Sequence, residues 1–326
     1  MAELTMVEAV RAALDRALEE DERVVVFGED VGIDGGVFRA TNGLVQRYGS
    51  SRVRDTPLSE AAIAGVAVGA AAMGLRPVAE IQFMGFIYPA IDQMVNHAAR
   101  LRTRTRGRLT CPMVLRAPFG GGIHAPEHHS ESAEVMFAHA PGLRVVIPSS
   151  PARAYGLLLA AIRNPDPVVF LEPKRLYRAV KEQVAEDGTG LDLDRTFTLR
   201  DGGDVTIVGW GASVADCLAA AGSLAAEGIE AEIIDVATLK PFDAGAILAS
   251  VEKTGRCVIV HEAPLTAGFG AEVAARIAGE ALTSLVAPIR RVTGYDTVMP
   301  LPRLEAHYLP GPDRIVAAVR DVMAFR

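Results

Sequence analysis

The side chains best suited to chemistry gather in a few short segments. Gly122-Ile-His124-Ala-Pro-Glu127-His128-His129-Ser130-Glu131 holds three of the chain's seven histidines. Imidazole titrates near neutrality, and a Gly- and Pro-rich loop after a strand is well placed for acid–base work. Imidazole with carboxylate also suits zinc, but this spacing is not that of a helical zinc motif. Two readings stay open: a loop that moves protons, and a solvated loop without chemistry. Glu60 follows Asp55-Thr-Pro-Leu-Ser59 and opens a helix of small residues, with Ser59 expected as its N-cap. A carboxylate there suits the helix dipole without any function. Phe86 lies beside a glycine in Phe83-Met-Gly-Phe-Ile-Tyr88, a pattern that ordinary core also produces. Gly209-Trp-Gly211-Ala-Ser-Val214, with Asp235 closing the next strand, imitates a dinucleotide fingerprint. Val214 stands where the third glycine belongs, so a tight βα turn is the better reading.

These segments need elements to hold them. Apolar periodicity predicts a helix over Met6–Glu20 and a buried strand over Val24–Phe27, ending in Gly28-Glu29-Asp30. Further strands are expected at 77–83, 111–116, 143–148 and 168–171, with helices after Ser59, over 90–102 and over 152–163. Gly65 and Gly69, inside the helix after Ser59, mark close approach by a neighbour. From Glu172 to Arg200 the pattern weakens and charge rises. The alternation then restarts, with strands near 204–208, 231–236, 257–261 and 289–292. Helices are expected at 214–227, 244–253, 271–281 and 313–323. Strand–helix alternation of this kind implies α/β layers around mainly parallel sheets. The expected organisation is an α/β domain over residues 1–180, a linker over 181–202 and a second α/β domain over 203–326.

Composition narrows the function classes. The 326 residues are 50% apolar and 22% charged, ample for two cores and unlike a disordered chain. The net charge of −7 disfavours nucleic-acid binding. The alternating run Arg100 to Arg108 is the basic exception, a solvated helix end or a patch facing an acidic partner. Cys111, Cys217 and Cys257 lie far apart with no CxxC, so neither a disulfide framework nor a cysteine zinc site is expected. The start of the chain reads as neither signal nor transit peptide, and no stretch reads as a membrane span. A bacterial cytoplasmic address is expected.

Taken together, Phe27-Gly-Glu-Asp30, Asp55-Thr-Pro-Leu-Ser-Glu60, Glu80-Ile-Gln-Phe83, Pro89-Ala-Ile-Asp-Gln93, Glu127-His-His-Ser130, Val146-Ile-Pro148 and His261-Glu-Ala-Pro264 carry a family resemblance. In order, and over nearly the whole chain, they resemble the beta subunit of the thiamine-diphosphate-dependent decarboxylase component of 2-oxo acid dehydrogenase complexes. Glu80-Ile-Gln-Phe83, Leu171-Glu-Pro-Lys-Arg-Leu-Tyr177 and His261-Glu-Ala-Pro-Leu265 look closer to branched-chain enzymes than to pyruvate enzymes. The resemblance implies a pyrimidine-type thiamine-diphosphate domain followed by a transketolase-like C-terminal domain. It implies that Glu60 hydrogen-bonds N1′ of the aminopyrimidine, favouring the imino tautomer that removes the thiazolium C2 proton. Acid–base assistance of this kind contributes about 10²–10⁴-fold. By the same match Phe86 stacks on the pyrimidine, Leu58 lies beside it, and Gln82 lines the pocket. His129 sits near the reacting carbon and assists acyl transfer to a lipoyl group. His128 departs from the aromatic or aliphatic residue often found there, so no role carries over. Backbone carbonyls of Met113, Ala161, Asn164 and Asp166 are implied as ligands of a monovalent cation, usually potassium.

An absence completes the reading. Members that hold the diphosphate through Mg²⁺ use a Gly-Asp-Gly turn and an Asn about 25–30 residues later. Here the asparagines are Asn42, Asn96 and Asn164, and none follows Asp34-Gly35, Asp187-Gly188 or Asp201-Gly202 at that distance. An alpha subunit is therefore expected to hold the diphosphate and Mg²⁺, in an alpha2beta2 heterotetramer that docks a lipoyl acyltransferase core. The expected activity is oxidative decarboxylation of a 2-oxo acid with reductive acylation of lipoyl groups. The branched-chain type is favoured over pyruvate or acetoin, and a nicotinamide-dependent oxidoreductase is the rival from another class.

Overall fold

A computed structural model describes residues 1–325. In chain order the elements are β1 (Ala2–Thr5), α1 (Met6–Glu20), β2 (Val24–Gly28), α2 (Leu44–Tyr48), β3 (Val53–Asp55), α3 (Glu60–Ala72) and β4 (Arg76–Glu80). They continue with α4 (Leu101–Arg104), β5 (Val114–Phe119), α5 (Val135–Ala138), β6 (Arg144–Val146), α6 (Pro151–Arg163), β7 (Val168–Pro173) and β8 (Lys181–Val184). The later part holds β9 (Phe197–Arg200), β10 (Val205–Gly209), α7 (Ser213–Ala225), β11 (Ala231–Asp235), β12 (Thr238–Lys240) and α8 (Gly245–Thr254). It closes with β13 (Cys257–Pro264), α9 (Gly270–Glu280), β14 (Arg290–Gly294), α10 (Glu305–Tyr308) and α11 (Pro312–Met323).

The chain divides into two compact units, Met1–Phe119 with Met136–Leu193, and Gly120–Val135 with Asp194–Arg326. In the first unit β6-β7-β5-β4-β2-β3 lie side by side, all parallel. Their apolar runs are buried on both faces, as parallel sheets require. α1 starts with a capping box, in which the Thr5 side chain accepts from the Glu8 N–H while Glu8 accepts from the Thr5 N–H. In the second unit the order is β14-β13-β10-β11-β9, parallel except for β9. Its core gathers Ile207, Leu224, Ile233, Val258, Val260 and Ile315.

Three expectations change. Residues 181–184, read as linker, form β8 and pair antiparallel with β1, while 197–200 form the edge strand β9. Both pairings join segments far apart in sequence, so no local pattern announces them. The single helix expected over 90–102 is a broken path, with a π turn at Gln93–His97, a 3₁₀ turn at Ala98–Arg100 and then α4. Ser59 occupies the N-cap position of α3, but its side chain makes no capping hydrogen bond.

Candidate functional site

The carboxyl ends of parallel strands open the crevice in which such sheets carry their ligands. In the first unit β2 runs out into Glu29 and Asp30. A Cβ on Gly28 would lie 2.5 Å from the Glu80 carbonyl oxygen, so glycine lets the ends of β2 and β4 meet. Asp55, at the end of β3, accepts from the N–H groups of Gly32 and Ile33 at 2.6 and 3.2 Å and pins the loop after β2. Gln82, just beyond β4, donates from Nε2 to Asp30 Oδ2 at 2.9 Å. Phe83 meets Phe86 edge-on at 5.8 Å and Phe38 at 5.4 Å.

Glu60 is the first residue of α3. Burial raises the Glu29 carboxyl, and the Glu60 and Asp30 charges raise it further. Leu58 is 80% exposed. Glu60, Gln82 and Phe86 therefore issue from neighbouring strand ends of one unit, with Glu29 and Asp30 between them. Those two acids form part of a quoted motif in the sequence, yet nothing there marks them as site residues. Their position at the end of a buried strand, beside a glycine that only close packing requires, is the available signal.

Beneath these loops a charged network is sealed in the sheet. Arg116 donates from Nη1 to Glu80 at 2.7 Å, and from Nε and Nη2 to Glu172 at 2.6 and 3.0 Å. The Tyr177 hydroxyl donates to Glu172 at 2.6 Å. All four side chains are buried. Burial pushes the Glu80 carboxyl up against the pull of Arg116.

The histidine loop belongs to the second unit. Glu305 accepts from the N–H groups of Gly122 and His124 at 2.8 and 3.1 Å, and its carboxylate lies 2.9 Å from His124 Nδ1. Glu262 accepts from the Gly121 N–H at 3.2 Å. His129 ends a 3₁₀ turn over Glu127–His129 and is half-buried, whereas His128 is exposed. Ser130, Glu131, Glu262 and Asp296 line an adjoining cavity of about 510 Å³. No group of three or more His, Cys, Asp or Glu residues is placed to hold a metal ion among the described residues.

Deeper in the same unit, Trp210 stacks on His261 at 5.0 Å and donates from Nε1 to Glu134 at 3.3 Å. Burial raises the Glu134 carboxyl to about 7 and, with Arg291 nearby, lowers the His261 imidazole to about 4. The turn that imitated a dinucleotide fingerprint is thus packed with side chains. Trp210 and Val214 are both buried, and a Cβ on Gly209 would lie 3.2 Å from Cys217 Sγ. All three cysteines are buried and free, and burial pushes the thiols of Cys111 and Cys257 up to about 12.

Of the carbonyls expected around a monovalent cation, Met113 O accepts from the Val168 N–H and Ala161 O from the Asn164 N–H. Asn164 O accepts from Arg76 Nη1 at 3.4 Å. Each retains a second lone pair. Arg102 pairs with Asp166 at 2.7 Å, so this member of the arginine run has an acidic partner within the chain.

Comparison with known proteins supplies independent context. A family model described as "Transketolase, pyrimidine binding domain" matches residues 2–180, and "Transketolase, C-terminal domain" matches 195–315. The chain is 50% identical over 326 residues to the "Pyruvate dehydrogenase E1 component subunit beta" of Acholeplasma laidlawii, with 100% of both covered. It is 47% identical over 325 residues to the protein of the same name from Bacillus subtilis, again with 100% of both covered. A solved structure described as "Split gene transketolase, inactive beta4 tetramer" aligns at a TM-score of 0.82 and 25% identity, over 99% of each chain. These relatives are named for pyruvate, and the leaning toward branched-chain enzymes finds no support among them.

Proposed function

Given that this chain belongs to the family of pyruvate dehydrogenase E1 component beta subunits, we propose that it supplies the pyrimidine-side half of a thiamine diphosphate site completed by an alpha subunit. The observation that carries this reading is α3. Apart from Glu60 the helix is wholly apolar and small, Glu-Ala-Ala-Ile-Ala-Gly-Val-Ala-Val-Gly-Ala-Ala-Ala, yet Ala62, Val66 and Gly69 are exposed, with Met73 beyond them. A helix without a polar face belongs in an interior. Here the missing cover is a partner chain, and Glu60 stands at the edge of the uncovered surface.

Thiamine diphosphate, when bound, supplies the electron sink that lets a 2-oxo acid lose carbon dioxide. In this chain Glu60 holds a proton for exchange with the pyrimidine, and Glu29 beside it, raised by burial, opposes a second negative charge. Phe86 and Leu58 offer apolar surface to the ring, and Gln82, fixed by Asp30, a polar edge. His129 stands on a loop held by Glu262 and Glu305 and serves acyl transfer to a lipoyl group. No Asp-Gly turn followed by Asn is available for Mg²⁺ and the diphosphate, so those fall to the alpha subunit. A beta-only assembly of the split transketolase is described as inactive, which fits a site divided in the same way. The heterotetramer, the docking of a lipoyl acyltransferase core on acidic residues of the second unit, and a potassium ion at the carbonyls near Asn164 belong to the same proposal. So does pyruvate as substrate, on the strength of the relatives' names.

The deciding experiment assembles the chain with its alpha subunit and assays pyruvate against 2-oxoisovalerate. Pyruvate is expected to be preferred. Glu60→Gln is expected to assemble normally and to lose at least about 10²-fold in decarboxylation. Near-normal turnover by that variant would remove Glu60 from the chemistry. Turnover by the chain without its partner, given thiamine diphosphate and Mg²⁺, would refute the divided site. Stoichiometric NADH binding would instead favour the nicotinamide reading.

A further inference from the structure

A second recess in the first unit lies outside the site described above. It encloses about 340 Å³, within the range of small-molecule pockets, and its walls include Thr5, Glu8, Arg11, Arg39, Asn42 and Arg178. Three arginines from three separate segments line it: Arg11 from the first helix, Arg39 from the loop after β2 and Arg178 from the segment after β7. Three like charges lining one recess suit an anion. Glu8 is the single carboxylate of the lining, and it is committed elsewhere. It accepts from the N–H and hydroxyl of Thr5 at 2.8 and 2.7 Å, and those bonds hold its carboxyl below the usual range. The local excess of positive charge stands out in a chain of net charge −7.

Two of the guanidinium groups are also held in place. Arg39 donates to the Asp34 carbonyl, and Arg178 donates to the Phe38 carbonyl at 2.9 Å. Each group carries five N–H donors, so most remain available. Arg11 makes no hydrogen bond or ion pair among the described residues. Arg39 adopts φ +69°, a left-handed conformation that a non-glycine residue rarely takes.

We propose that this recess binds the phosphoryl group of a small molecule, clamped by Arg11, Arg39 and Arg178 with Asn42 as a neutral donor. Planar guanidinium forks match phosphate oxygens two at a time, and the remaining volume accommodates a compact organic body. The site is independent of the thiamine diphosphate assignment, because none of its residues belongs to that set.

The test titrates the full chain with inorganic phosphate, followed by ³¹P line broadening and calorimetry, with acetate at matched ionic strength as control. Saturable binding at one site is expected, with acetate much weaker. Arg11→Gln is expected to weaken phosphate binding at least about tenfold. It should change the melting temperature in phosphate-free buffer little, because Arg11 makes no hydrogen bond among the described residues and acts on Glu8 only through its charge. Arg178→Gln should weaken binding similarly. Absence of saturable binding, equal affinity for acetate, or unchanged affinity in both variants would overturn the proposal.

Discussion

The two units handle internal charge in opposite ways. In the first, the buried acids Glu80 and Glu172 are matched to Arg116, while Glu60 stands half-open at the strand ends. In the second, Glu134 and His261 are sealed around Trp210, and burial holds both neutral near pH 6, the acid raised to about 7 and the base lowered to about 4. The first unit keeps ions and orders them beneath the strand ends where the proposed proton transfer lies. Around Trp210 the second unit discharges Glu134 and His261 and uses them as packing. Chemistry is therefore expected to fail first on damage to one unit, and pH-dependent stability on damage to the other.

The largest effect expected is at Arg116. Replacing it by methionine strands two buried carboxylates and should cost about 3–5 kcal/mol, read as the shift of the first unit's denaturant midpoint. Little change would mean that this unit also neutralises its acids, and the contrast would collapse. A sharper probe is pH. The Glu134 carboxyl titrates near 4.5 when unfolded and about 7 when folded. Stability from this group is therefore present below pH 4.5 and lost as pH rises to about 7. His261 has the reverse sense, 6.5 unfolded and about 4 folded, so its share is present above pH 6.5 and lost as pH falls. Each amounts to about 3 kcal/mol, and over the shared window they cancel. Glu134→Gln should unmask His261, so that the second unit gains stability as pH rises from 4 to 6.5, where the parent is nearly flat. A flat profile in the variant would deny the neutral pair. The smallest effect concerns Gly69, around which a Cβ would meet nothing within 4 Å. Gly69→Ala should raise the stability of the isolated chain by about 0.5–1 kcal/mol through helix propensity. If α3 is covered as proposed, the same change should weaken assembly with the alpha subunit, measured by analytical ultracentrifugation.

How far the sequence was legible follows from where information is local. α1 spans Met6–Glu20, as its apolar periodicity predicts. The buried strands appear within a few residues of their expected places because runs such as Val168–Leu171 have few alternatives. Close backbone approach, expected at Gly65 and Gly69, is found at neither: a Cβ on Gly65 would lie 3.3 Å from the side-chain Oε1 of Gln93, and one on Gly69 would meet nothing within 4 Å. The pairing of β1 with β8 could not be read, because an edge contact between distant segments leaves no periodicity. The Arg116 network left a signal that composition hides. Arg116 and Glu172 are single charges inside otherwise apolar strands, and Glu80, at the end of β4, lies opposite Arg116 in the sheet. A lone charge in a strand buried on both faces needs a partner of opposite sign across the ladder. The sealed pair at Trp210 gave no comparable hint, since its members come from three distant segments.

The bare face of α3 also bears on the life of the polypeptide before it acts. Val66 and Met73 are 60% and 86% exposed on a helix with no polar side to turn outward. A copy released from the ribosome without its partner therefore displays adhesive surface of the kind that chaperones and proteases recognise. Balanced synthesis of the two chains becomes a condition of solubility as well as of catalysis. Surplus copies are expected to be cleared rather than stored.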